Sequence, residues 1–232
     1  MSRDIAVLNA DKAVARVRDK DPTRRRNVTR DETYRKILGP VAWDRLKPEV
    51  RQRFSTKPRS GKSIRYEGVM QKIELSFMGW LFAQVCRVIG TPLAPWRGRN
   101  VPMSIELVPD EKLQGVAWNR RYAFSRSKTF TVCSTKCQRK DGEFIEYIGR
   151  GFLMRLKLLE KDGGLVFRSV AYEIAVADWK IRIPSLLTPG VTTVTHEQLT
   201  GDRFRFTLSV DHRLLGRTIY QDGEFYSAVS ER

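Results

Sequence analysis

The clearest regularity in the chain is an alternation of apolar and polar residues that sets in at Ser63. Between Arg203 and His212 it runs without a fault: Phe204, Phe206, Leu208 and Val210 fall on one side, Arg203, Arg205, Thr207, Ser209 and Asp211 on the other. Successive side chains of a strand point to opposite faces, so a segment of this kind buries one face and wets the other. The same alternation recurs at Val101, Met103, Ile105 and Leu107, and at Val116, Trp118, Tyr122 and Phe124. It continues through Phe152, Met154, Leu156 and Leu158, then through Val166, Val170, Tyr172, Ile174 and Val176. Turn signals stand between the segments, at Ser125 to Ser127, Asp141-Gly142, Asp162-Gly163-Gly164, Gly201-Asp202 and Asp222-Gly223. Strands joined by tight turns are antiparallel. The pattern therefore predicts a mainly β chain of about nine or ten strands, an antiparallel meander curled into a barrel or half-barrel that manages its own edges.

One segment departs from period two. Phe77 to Ile89 is apolar at helical spacing, with Phe77, Leu81, Val85 and Val88 on one stripe, Met78, Phe82 and Ile89 beside it, and Gly90 and Pro92 as a stop. This predicts a helix over 77–89, inserted between the first and second strands. Only Gln84, Arg87 and small residues interrupt it, which leaves two readings. It plugs the open end of the curved sheet, or it is a lid or membrane-facing helix. In the second reading Phe77, Met78, Leu81, Phe82 and Val85 meet a lipid-like ligand or a bilayer, and Arg87, Arg97 and Arg99 meet lipid phosphates. Ahead of the sheet, 31–62 reads as a helical lead-in, with short helices at Thr33–Leu38, Val41–Leu46 and Pro48–Phe54 and a linker from Thr56 to Lys62. Residues 1–30 read as a basic, partly disordered extension, and 31–232 as a single β-rich domain.

Charge adds a second asymmetry. The 232 residues carry 43 Lys and Arg against 26 Asp and Glu, a net +17 that asks for an anionic partner. The first 62 residues hold +10 of it, with Arg24, Arg25 and Arg26 in a row as the candidate anion-binding run. An anionic membrane surface and nucleic acid are the two macromolecular partners such a run fits. Aromatic and basic residues also interleave at Trp118 to Arg126 and Phe204 to Phe206, but on a strand rings and cations then take opposite faces, which favours a core over a base-stacking platform. A hydrophobic fraction of 41% excludes wholesale disorder. No run of about 18 apolar residues predicts a transmembrane helix, and the N-terminal residues lack a signal-peptide pattern, so the expected location is cytoplasmic or peripheral at the inner membrane face. Cys133 and Cys137, four residues apart on one strand, lie roughly 13 Å apart and are expected as free thiols.

The chemical motifs are mostly absences. Ser60-Gly61-Lys62-Ser63 resembles the tail of a phosphate-binding loop, but Thr56 stands where the loop needs its first glycine. No dinucleotide fingerprint or nucleophile elbow occurs, and His196 and His212 have no ligand-type neighbours at metal spacing. Glu143 with Glu146, and Asp110 with Glu111, read as solvated turn or outer-strand carboxylates. No residue is assigned to catalysis, to a metal or to a cofactor. The expectation is a non-enzymatic domain that binds a small apolar or acylated anionic ligand. Trp118, Tyr122, Phe130, Tyr172 and Trp179 line its cavity, and Arg120 or Arg121 pairs an acidic head group.

A series of landmarks runs from Tyr34 to Asp222. It opens with Tyr34-Arg35-Lys36-Ile37-Leu38-Gly39, Trp43-Asp44-Arg45-Leu46-Lys47-Pro48 and Val50-Arg51, followed by Gly68, the Leu81 to Gly90 segment, Val101-Pro102, and Trp118 with Arg120 and Arg121. Gly149, Met154-Arg155-Leu156, Trp179 and Ile183-Pro184 come next, then Asp202-Arg203-Phe204-Arg205-Phe206, Leu214-Leu215-Gly216-Arg217 and Tyr220. Together they resemble the bacterial domain-of-unknown-function family 4166 over about four fifths of the chain. The resemblance implies no established activity or catalytic set. Because family members occur alone or appended to oxidoreductase-like modules, it also implies an oxidoreductase module as a partner in trans.

Overall fold

The computed structural model describes residues 28–90, 93–176 and 179–228, so the Arg24 to Arg26 run lies outside the described residues. The chain opens with strand β1 (Val28–Arg30), then three short helices, α1 (Thr33–Leu38), α2 (Pro40–Arg45) and α3 (Pro48–Phe54). Proline opens both α2 and α3, where its fixed φ suits the first turn and its missing N–H costs nothing. Thr56 to Lys62 is not wholly a linker: β2 (Thr56–Pro58) pairs antiparallel with β1, so Val28 to Arg30 belong to the folded domain rather than to the extension.

The body is an antiparallel sheet of β3 (Ile64–Leu75), β4 (Gly98–Asp110), β5 (Gly115–Ala123), β6 (Thr129–Gln138), β7 (Phe144–Gly149), β8 (Phe152–Lys161), β9 (Gly164–Val176), β10 (Trp179–Arg182), β11 (Val191–Gln198), β12 (Arg203–His212) and β13 (Gly216–Ala228). Pairing of β13 with β3, and of β8 with β9, closes all of these except β10 into a ten-stranded barrel. Closure removes the sheet edges that an open meander would expose. The alternation at Arg203 to His212 becomes β12, with Phe204, Phe206, Leu208 and Val210 buried inside.

Asp222-Gly223 is not a turn. β13 runs straight through it with a register shift at that step, and a Cβ on Gly223 would lie 2.5 Å from the Met70 sulfur, so this glycine serves a close approach rather than a hairpin.

The two ends of the barrel are closed differently. Tyr34, Trp43, Leu46, Val50 and Phe54 from α1 to α3 enter one end. The rings of Tyr34 and Phe54 meet Phe144, Phe167 and His196 of the barrel at centroid distances of 5.2 to 6.0 Å. Across the other end lies α4 (Phe77–Ile89), capped by the Ser76 hydroxyl, which accepts from Gly79 N–H at 3.1 Å. It packs near the start of β13, and at its far end Gly90 comes against the backbone of Ile148 and Gly149.

Candidate functional site

The closed wall has one loose seam. β9 gives its first half, Leu165 to Arg168, to β11, and its last residues, Glu173 to Val176, to β10. Between them side chains bridge β9 to the β11 segment: Thr192 N–H donates to Ser169 Oγ at 2.8 Å, and the Tyr172 hydroxyl donates to Gly190 O at 3.0 Å. Beneath this seam and α4 lies a cavity of about 180 Å³. Phe82 and Val85 of α4 form its roof, Phe152, Met154, Val194 and Leu208 its barrel walls, and Ile183 and Leu187 the side of the β10–β11 connection. In these apolar surroundings two charged side chains, Arg120 and Glu146, reach the lining.

They belong to a polar cluster inside the barrel. Arg120 Nη2 donates to Ser134 Oγ at 2.6 Å, and Ser134 in turn donates to Glu146 Oε1. Lys136 Nζ lies 3.1 Å from the same carboxylate oxygen and Arg120 Nη2 3.6 Å from it. All four side chains are buried. Burial raises the Glu146 carboxyl, but Lys136, Arg120 and the Ser134 hydroxyl outweigh it and hold the group below the usual carboxylate range. Burial pushes the Lys136 ammonium down, with Glu146 opposing and Arg120 reinforcing that shift. One carboxylate thus faces two cationic side chains, and Arg120 Nε is buried without a hydrogen-bond partner among the described residues. An unpaired buried donor on a charged group is costly, so the site is electrostatically arranged for one more anionic or acceptor group.

Strand parity sorts the residues expected from sequence. Arg120 and Tyr172 line the cavity, whereas Arg121 is exposed on the outer face. Trp118 is buried but sits toward the α1–α3 end, where it lines a small crevice with Tyr34 and Phe54. Tyr122 is buried with its hydroxyl donating to Gln221 Oε1 at 2.9 Å, and Phe130 packs edge-on against Trp96. Trp179 is 77% exposed because β10 is an edge strand outside the closed barrel, a correction to its expected place in the cavity wall. Of the lid residues, Phe82 and Val85 reach the cavity, Met78 is half-buried, and Phe77 and Leu81 face outward.

Glu146 overturns its reading as a solvated carboxylate: it shares the inner face of β7 with Phe144. Ser134, Lys136 and Glu146 were missed as site residues, although the inner parity of β6 and β7, counted from Val132 and Phe144, marks all three.

Two open surface grooves, of about 370 and 440 Å³, exceed the cavity in volume. In the first, Arg155 already bridges Glu143 at 2.7 Å and Glu173 at 2.9 Å. The second is cut between β1 and the short helices, with Arg30 bonded to Glu32 and Arg35 also beside it.

No curated protein and no solved structure matches the chain. The family described as Domain of unknown function (DUF4166) matches residues 46–225, a span that takes in α3, α4 and all but the last residues of the barrel. With that match over most of its length, and with its landmark residues falling on the strands and helices that build the barrel, the chain belongs to the family Domain of unknown function (DUF4166).

Proposed function

We propose that the barrel binds a small acid: an apolar body under α4, with its carboxylate or comparable anionic head on Arg120. The observation that carries this reading is the excess of cationic side chains at the polar corner of an otherwise apolar cavity. A head group accepting from Arg120 Nε satisfies the orphaned donor and balances the second cation, while Phe82, Met154 and Leu208 take the hydrocarbon. The volume of about 180 Å³ lies below the roughly 300 Å³ at which pockets for drug-sized molecules begin, so the ligand is a short acid rather than a long acyl chain.

Titration calorimetry with hexanoate and with hexanol tests the assignment. The parent protein binds hexanoate and binds hexanol at least about tenfold more weakly, because a hydrogen bond to a charged group contributes about 1.5 to 3 kcal/mol. Arg120→Met, which leaves Glu146 paired with Lys136, removes the preference. Equal affinity for the two probes, or unchanged hexanoate affinity in Arg120→Met, contradicts it.

A further inference from the structure

The outer surface of the α4 end carries a feature that the ligand reading does not use. α4 turns Gly79, Ala83 and Cys86 toward the barrel, with Met78 and Phe82 half-buried beside them, and leaves Phe77, Trp80, Leu81, Val85 and Val88 exposed. Phe77 is 71% exposed and Val88 66%, with Leu81 and Val85 exposed between them, one unbroken stripe along the helix. A helix that served only as a plug would bury that stripe and expose its small residues.

Two loops extend the apolar surface. Leu186 and Leu187 in the β10–β11 connection, and Leu214 and Leu215 in the β12–β13 turn, are exposed. Both loops converge on His212, whose Nδ1 accepts from Leu214 and Leu215 N–H at 3.2 Å and whose Nε2 lies 3.4 Å from Leu186 O. The His212 ring lies 6.3 Å from that of Phe82 on α4. Three separate segments thus place exposed aliphatic side chains around the cavity mouth.

Among the described residues, the charge of the same end is mainly basic. Strand directions bring residues 76–90, 93–99, 124–128, 149–152 and 213–217 to this end, and those stretches contain no Asp or Glu; the exposed carboxylates beside them are met by cations, Glu74 by Lys72 at 2.8 Å and Asp211 by Arg217 at 3.6 Å. They carry Arg87, Arg99, Arg126, Arg150 and Arg213, all exposed. Acidic residues gather in the turns at the opposite ends of the strands, at Glu111, Asp141, Asp162 and Asp202.

We propose that the α4 end docks on an anionic lipid bilayer, with the apolar stripe in the acyl boundary and the arginine rim on the lipid head groups. At 13 residues, about 20 Å, α4 is too short to cross a bilayer core of about 30 Å but suits lying in its surface. A second copy of the chain is a poor occupant because the rims would meet like charge on like charge. Nucleic acid is a poorer occupant, since bases stack on rings and the exposed Phe77 already stacks on Trp80 at 6.1 Å while the rest of the stripe and both loops present leucine and valine. Val85 and Leu187 border both this surface and the cavity, whereas Phe77, Leu81, Val88, Leu186 and Leu214 lie outside the cavity lining, so the inference does not depend on what the barrel holds.

Co-sedimentation of the full chain tests it, using vesicles of pure phosphatidylcholine and of equal parts phosphatidylcholine and phosphatidylserine. The protein sediments with the mixed vesicles and not with the pure ones. The paired substitution Phe77→Glu with Leu214→Glu, both at exposed sites outside the cavity lining, lowers the partition coefficient by more than about tenfold while leaving the thermal melt unchanged. Arg150→Ala and Arg213→Ala each lower it by about fivefold. Three results overturn the proposal. The first is no binding to the mixed vesicles. The second is binding that survives the glutamate pair and disappears only when Arg24 to Arg26 are replaced by alanine. The third is a concentration-dependent dimer in sedimentation velocity that the glutamate pair dissolves.

Discussion

His196 is buried inside the barrel toward its α1–α3 end, among Phe54, Trp118, Phe167, Phe204 and Phe206, with ring centroids 5.2 to 6.2 Å away. Its Nδ1 is buried without a partner among the described residues. Burial first, then the charges of Arg53, Lys136 and Arg120, push its pKa well below the ordinary value, so the folded protein holds it neutral. The unfolded chain takes up this proton near pH 6.5, and the folded one does so only at much lower pH. The contribution to stability is therefore present above about pH 6.5 and lost as pH falls below it, with a slope approaching about 1.4 kcal/mol per pH unit. Urea midpoints for the parent should drop between pH 7 and pH 5, and His196→Phe should flatten that drop; a variant with the parent's slope would place the titrating group elsewhere. Glu146, held below the usual range, adds its own loss only at more acidic pH. At this scale the sequence was least legible. Parity alone puts Lys136 with Ser134, and Glu146 with Phe144, but one charged residue on an inner face reads as solvated until the barrel closes around it.

Elements were more legible, because each has a period. The helices at Thr33–Leu38, Pro48–Phe54 and 77–89 stand where spacing and stop signals put them, and most of the turn signals separate strands. Asp222-Gly223 failed because a glycine needed for close packing inside a strand carries the same signature as a hairpin glycine. The orientation of α4 was illegible for a related reason: a helix apolar on both sides does not announce which side is buried. Gly79 decides it. A Cβ there would stand 2.0 Å from Thr218 O, the carbonyl that also accepts Ser76 N–H at 2.9 Å. Gly79→Ala raises intrinsic helix propensity by about 1 kcal/mol, yet the clash with fixed backbone outweighs that gain. Melting temperature should fall, and hydrogen exchange in α4 should accelerate more than in β12. Unchanged protection of α4 would mean that the helix does not depend on this close approach.

For the whole molecule, the alternation and turns implied a curved antiparallel sheet, and the barrel is closed, with helices at both ends and a polar cluster inside. Closure itself was not readable, since it depends on which strands meet across long sequence separations, β13 on β3 and β8 on β9. The net +17 looked like a property of the N-terminal third, yet the α4 end of the barrel is basic too, whereas the turns at the opposite end mix acids with Lys112, Arg139, Lys140 and Lys161. The mouth of the cavity lies at this basic end, so an anion approaching it meets favourable potential before reaching Arg120. The most direct measurement is native mass spectrometry of the parent protein and of Arg120→Met, both isolated from cells without added ligand. The account predicts a small acid bound to the parent and absent from the variant. A parent of bare polypeptide mass, or one adduct retained equally by both proteins, would contradict it.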